Sequence, residues 1–113
     1  MAFADNLKQL PAVSHLAALQ LLDAAGKVVA TIENQPGQAG SLAVYAALAA
    51  RHGSITVAAA QEGLVMFAEH TADARLHPGS HPNIDRLLAT MASAEGFSVK
   101  LIKEPPQEQV HAP

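Results

Sequence analysis

The chain has 113 residues, with seven Lys and Arg against ten Asp and Glu for a formal net charge of −3, half its residues hydrophobic, and no Cys or Trp. That length is the natural size of one domain. The absence of Cys excludes a disulfide scaffold, thiolate metal sites and a Cys nucleophile, and without a basic excess phosphate neutralisation cannot drive nucleic-acid binding.

The first residues, MAFADNLKQLPAV, lack the basic start and apolar run of a signal peptide, and a short helix before Pro11 is expected over 2–10. No stretch approaches the roughly 18 apolar residues of a membrane span, so the expected location is the cytoplasm. Residues 15–25 read two ways. Ser14 could cap a helix through Leu16, Leu19 and Leu22 that ends at Gly26. Alternatively Leu16–Leu22 and Val28–Ile32 are the strands of a hairpin around Asp23-Ala24-Ala25-Gly26-Lys27. KVVATIE is β-branched and needs a neighbouring strand, which favours the hairpin.

Asn34-Gln35-Pro36-Gly37 marks a turn. A helix is expected from about Ala39 to His52, stopped by Gly53. A second helix, capped by Ser54 or Thr56, is expected to run through Gly63 to about Leu76, where His77-Pro78-Gly79 breaks it. Pro82 suits the first turn of a third helix, with Gly96 as its end. Phe97, Val99 and Leu101 then alternate with Ser98, Lys100 and Ile102 as a last strand of period two. The expected class is α+β: a small, mainly antiparallel sheet of hairpin plus C-terminal strand, covered by about three helices. The expected domain is 1–104, with 105–113, PPQEQVHAP, as a disordered tail that includes His111.

Three strings, IENQPGQAGSLAVY (32–45), AEHTADAR (68–75) and HPNIDRLL (81–88), together resemble a family of short bacterial proteins known as domain of unknown function 2322. The resemblance extends to about residue 103. It implies a bacterial protein and brings no substrate, cofactor or catalytic residue with it.

Chemistry must therefore be sought in the residues. At about 100° per residue, Val57, Ala60, Leu64, Phe67 and Ala74 fall on one side of the second helix. Glu62, Glu69, His70, Asp73 and His77 fall on the other, with His81 and Asp85 following the Pro-Gly break. Histidine and carboxylate at this spacing suit a divalent metal, zinc, manganese or iron, with His70, Asp73, His77 and His81 as ligands. The spacing is weaker than HExxH, because Pro78 and Gly79 separate the one pair of histidines four apart. The plainer reading, a solvated face of an amphipathic helix, is preferred; a polar interface is the third.

Pro36-Gly37-Gln38-Ala39-Gly40-Ser41 opens a helix after a strand, so free N–H groups there could hold an anion with help from the Ser41 hydroxyl. Its glycines match neither the P-loop nor the dinucleotide fingerprint, and an ordinary turn explains them. Ser41, Ser54 and Ser80 lack an elbow motif. Tyr45 reads as a tethered core residue, and Arg51, Arg75 and Arg86 as surface ion-pair partners. No catalytic residue is assigned. A non-enzymatic binding or self-associating protein is the leading expectation, and a metal-binding protein or small metal-assisted enzyme the alternative. Much of the apolar content is Ala, which buries little area per residue, so a homodimer is expected to add some.

Overall fold

The computed structural model describes residues 2–104. In chain order they form α1 (Phe3–Leu7), β1 (Leu16–Leu22), β2 (Val28–Glu33), α2 (Ala39–His52), α3 (Val57–Met66), α4 (Glu69–Leu76), α5 (Pro82–Ser93) and β3 (Ser98–Lys103). The tail expected at 105–113 lies outside the described residues. The architecture is α+β, with the helices packed on a three-stranded antiparallel sheet of order β2-β1-β3.

Residues 15–25 are the hairpin, not a helix. The Asp23 carboxylate accepts from the N–H groups of Ala25 and Lys27, each at 2.9 Å. That local bonding fixes the turn and places KVVATIE against β1. As the central strand, β1 buries Leu16, Leu19 and Leu21. An irregularity in the pairing with β3 between Leu16 and Ala18 lets Leu16 and Leu19, three apart, both face the core. On the far strand the expected alternation is only partly realised. Val99 is half-buried, but Leu101, paired with Leu19, is 44% exposed, while Ile102 is half-buried. The helix that covers the sheet, α2, packs on β1 and β2, which leaves the β3 edge thinly covered.

The helix α2 ends at Gly53 in the left-handed region, φ 83°, as the sequence indicates. Behind it, α3 and α5 pack through Gly63: a Cβ there would lie 2.7 Å from a Leu87 methyl and 2.8 Å from a Leu48 methyl. Glycine lets the three helices close around one point.

Two expectations are corrected. The helix expected from 56 to 76 is two helices, broken at Phe67 and Ala68, where Ala68 takes φ 52°. The break turns Phe67 into the core, 2% exposed, and its freed carbonyls find other partners. The Thr71 hydroxyl donates to the Leu64 carbonyl at 2.6 Å, and the Asn6 amide donates to that of Met66 at 2.9 Å. The stop of α5 is Ala94, φ 65°, not Gly96. Gly96 instead lies against the chain at Ile55, whose carbonyl oxygen is 2.0 Å from where a Cβ would be. That approach permits the paired bonds between Ile55 and Phe97, at 2.8 and 3.1 Å. No described helix is long and apolar enough to cross a membrane.

Candidate functional site

Four elements meet at a cavity of about 420 Å³: α1, the start of α2, the α3–α4 break with the first turn of α4, and the start of α5. Phe3, Leu7, Phe67 and Ile84 are the apolar part of its lining, and Ser41, His70, Ser80, His81 and Asn83 the polar part.

The apolar lining depends on the N-terminal segment. Phe3 stacks on Phe67 with ring centroids 5.3 Å apart and an interplanar angle of 21°. Its backbone N–H donates to the Glu69 carboxylate at 2.9 Å, which holds that carboxyl below its ordinary range. Gly40 makes room for the ring, since a Cβ there would lie 3.2 Å from two Phe3 carbons.

The polar lining comes from two helix starts and two imidazoles. Leu42 N–H bonds to the Gln38 carbonyl, and Ala39 N–H to that of Gln35. The N–H groups of Gly40 and Ser41 have no partner among the described residues, and no side chain caps α2. At α5 the His81 carbonyl accepts from Ile84 and Asp85, and the Asn83 N–H is left without a partner among the described residues. Such unpaired donors face outward at the positive end of each helix. The Tyr45 hydroxyl donates to the Asn83 carbonyl and ties α5 to the middle of α2. Burial pushes the Tyr45 phenol well above its ordinary range, with the Arg86 guanidinium acting weakly the other way.

The turn at 77–81 folds His81 back onto α4. Its Nε2 lies 2.7 Å from one Asp73 oxygen, and His77 Nδ1 lies 3.2 Å from the other. The His81 hydrogen bond, reinforced by His77, holds the Asp73 carboxyl below its usual range. His70 turns away from this group: its ring meets Phe3 edge-on at 5.1 Å and lies 5.5 Å from the His81 ring. Two of the four residues picked out by spacing, His70 and His81, therefore line the cavity. Asp73 anchors His81 from behind, and His77 sits outside, 66% exposed. Among the described residues, no group of three or more His, Asp or Glu side chains is placed to hold a metal ion. The reason is geometric, because both histidine contacts of Asp73 run to the carboxylate itself and not to a shared point.

The rest of the stripe disperses. Glu62 pairs with Arg51 and His52, each at 2.7 Å, across the α2–α3 corner, and the His52 bond is the main cause of its lowered carboxyl pKa. The Asp85 carboxylate accepts from the Gly79 N–H at 2.9 Å and closes the turn before α5. Ser41 and Gly40, from the helix-opening turn, line the same cavity as His70 and His81, so the two stretches picked out separately in the sequence share one site. Phe3 carries no such signal, because nothing local in FADNL points to contacts with residues 67 and 70.

The sequence model of a family described as an uncharacterized protein conserved in bacteria matches residues 3–101. The chain belongs to the DUF2322 family. No curated protein and no solved structure matches it. The matched span of this DUF2322 member takes in Phe3, the α2 start, His70 and His81, so the whole cavity falls inside the family region.

Proposed function

We propose that this DUF2322 protein is a non-enzymatic binding protein whose ligand is a small carboxylate with a flat apolar body, seated in the cavity between α1 and the starts of α2 and α5. One observation carries the reading: a cavity of about 420 Å³ is lined by the rings of Phe3 and Phe67 together with His70, His81 and Ser41. A mostly apolar pocket with a few convergent polar groups is the usual form of a small-molecule site. The aromatic rings would take the ring face, and the imidazoles, hydroxyls and unpaired N–H groups would take the carboxylate. Benzoate and benzyl alcohol, which differ in the charged group, make the test when titrated by amide NMR. Benzoate should perturb residues of the cavity and bind more tightly than the alcohol. His81→Ala and His70→Ala should each weaken it, and His77→Ala should not. Equal binding of both compounds, or benzoate binding untouched when His70→Ala and His81→Ala are combined, would remove the reading.

Self-association is the second reading, with a further copy of this chain as partner. Of the two edge strands, β3 carries Lys100 and Lys103, whereas β2 exposes Val28 and Val29 with no charge before Glu33. Charged edges resist strand addition, and uncharged apolar ones invite it. Antiparallel pairing of two β2 strands about Ala30 would set Lys27 of each copy opposite Glu33 of the other, a favourable cross-strand pair.

A metal at His70, Asp73, His77 and His81 is supported only by the nearness of Asp73 to His77 and His81. Calorimetry with zinc, manganese and iron(II) on untagged protein separates this alternative from the carboxylate site.

A further inference from the structure

The two imidazoles that line the candidate site are held in different ways. His70 is positioned by ring packing against Phe3 and His81, which leaves its tautomer open. His81 is positioned by a hydrogen bond. Its Nε2 lies 2.7 Å from an Asp73 oxygen, and Asp73 is not part of the cavity lining. A carboxylate only accepts, so the proton of this bond belongs to Nε2. Asp73 is ionised for this purpose, since the contacts from His81 and, secondarily, His77 hold its carboxyl below the ordinary range.

In a neutral imidazole one nitrogen carries the proton and the other a lone pair, so a fixed Nε2–H makes Nδ1 an acceptor. Nδ1 of His81 has no partner among the described residues. The Thr90 hydroxyl is the only unpartnered side-chain N or O among them that is buried, so this Nδ1 is open to solvent. It is the one polar atom that the His81 ring can offer a ligand. The rest of the polar lining asks for something else. The unpaired N–H groups of Gly40, Ser41 and Asn83 are donors that suit a carboxylate. The Asn83 side-chain oxygen is taken by Arg86 at 2.6 Å, and the Ser80 hydroxyl is spent on the His77 carbonyl at 2.7 Å. A carboxylate carries no proton for the Nδ1 lone pair, which leaves that acceptor to a second group on the ligand.

Building on the carboxylate reading of the same cavity, we propose that its ligand is a hydroxyaryl carboxylate. The carboxylate is held by the free N–H groups and His70, and the hydroxyl donates to Nδ1 of His81. Asp73 is then a positioning residue: it touches no ligand and acts by setting the His81 tautomer. Benzoate, with no donor on its ring, leaves Nδ1 to water and forgoes one direct hydrogen bond.

The probes are benzoate, the hydroxybenzoate isomers and their methoxy ethers, titrated by amide NMR at about pH 8, above the ordinary imidazole range near 6.5. At least one hydroxybenzoate should bind about fivefold tighter than benzoate, the worth of one net hydrogen bond. Its methoxy ether keeps the oxygen but lacks the proton, and should show no such gain. Long-range proton–nitrogen spectra of the imidazoles should show His81 as the Nε2–H tautomer. Asp73→Ala, at an exposed helix position, should release that tautomer and bring the hydroxybenzoate down to the affinity of benzoate, with benzoate itself unchanged. His77→Ala keeps the His81–Asp73 bond and should preserve the preference. An Nδ1–H tautomer in the wild type overturns the proposal, as does a hydroxyl preference that is absent, shared by the ether, or retained in Asp73→Ala. If benzoate binds in any of those cases, the carboxylate reading stands without it. If neither benzoate nor any hydroxybenzoate binds, both fall.

Discussion

The Asn6 side-chain amide donates to the backbone carbonyl of Met66 at 2.9 Å, across 60 residues of chain. Met66 is the last residue of α3, so its carbonyl has lost its helical partner at the break. With Phe3 held by Glu69 and Phe67, this bond fixes α1, a five-residue helix with no buried residue of its own, as one wall of the candidate site.

Asn6→Ala should therefore destabilise the protein by about 1 kcal/mol, the typical value of a part-buried hydrogen bond. It should also free α1 locally. Chemical denaturation reads the first effect, and faster amide exchange over residues 3–8 reads the second. Unchanged exchange there would mean that the Phe3 stack alone holds the segment.

Two residues at the end of α5 should respond in opposite senses. Ala94 occupies the left-handed region at φ 65°, where an L-residue with a Cβ is disfavoured by roughly 1–2 kcal/mol. Ala94→Gly should accordingly raise stability by about 1 kcal/mol. Gly96→Ala should lower it by more, because its Cβ would fall 2.0 Å from a backbone oxygen that cannot swing aside. Thermal unfolding of the two variants checks the pair, and disruption should spread to the Ile55–Phe97 bridge.

These cases show where the sequence is legible. The hairpin, α2 and the last strand follow from local signals: β-branched KVVATIE, an Asp-to-Gly turn, Pro36-Gly37 ahead of a helix and Gly53 behind it. The break at Phe67-Ala68 has no such signal, since neither Pro nor Gly stands there and the nearby Gly63 lies inside α3. Distant partners hold it instead, Asn6 on the Met66 carbonyl and the core around Phe67. The candidate site divides in the same way. His70, Asp73 and His81 stand out by spacing along one stretch, and the Pro-Gly turn explains why His81 meets Asp73. Phe3 and Gly40 enter the site only through packing between remote segments, which spacing does not encode.

Acid should weaken the site from the Asp73 side. The carboxyls of Asp73, Glu62 and Glu69 are all held below their ordinary range in the folded protein. A folded-state pKa below the unfolded one, about 4 for such groups, gives stability that is fully present above that value. It is lost as pH falls through the lower folded pKa. Unfolding free energy should hence decline below about pH 4, and Asp73→Asn should flatten part of that decline. Because these groups are largely solvated, salt should reduce the effect. A slope identical in wild type and Asp73→Asn would show that the His81 and His77 contacts add nothing.

The self-association reading makes a separate claim about mass. Sedimentation at micromolar concentration should give a dimer for the wild-type chain, and Val29→Lys, which charges the β2 edge, should give a monomer. A monomer mass for the wild type throughout would discard it, and a dimer that survives Val29→Lys would move the interface off β2.

Tyr45 offers the cleanest optical test of the core beside the cavity. It is the one tyrosine in a chain without tryptophan, so phenolate absorbance reports on this residue alone. It is fully buried, and its hydroxyl donates to the Asn83 carbonyl at the first turn of α5. Burial disfavours the charged phenolate, which is why its folded pKa is raised. A raised folded pKa contributes stability that is complete below the unfolded value of about 10 and is lost as pH rises beyond it. In an alkaline titration the phenolate signal should therefore lag behind that of a free tyrosine and appear together with loss of helical circular dichroism. Tyr45→Phe removes the donor and leaves the Asn83 carbonyl without it, at a cost of about 1 kcal/mol. The same variant should loosen the α5 start and weaken benzoate binding, although Tyr45 does not line the cavity. Phenolate formation near pH 10 with the fold intact would contradict both the buried bond and the rigid α5 start that the carboxylate site requires.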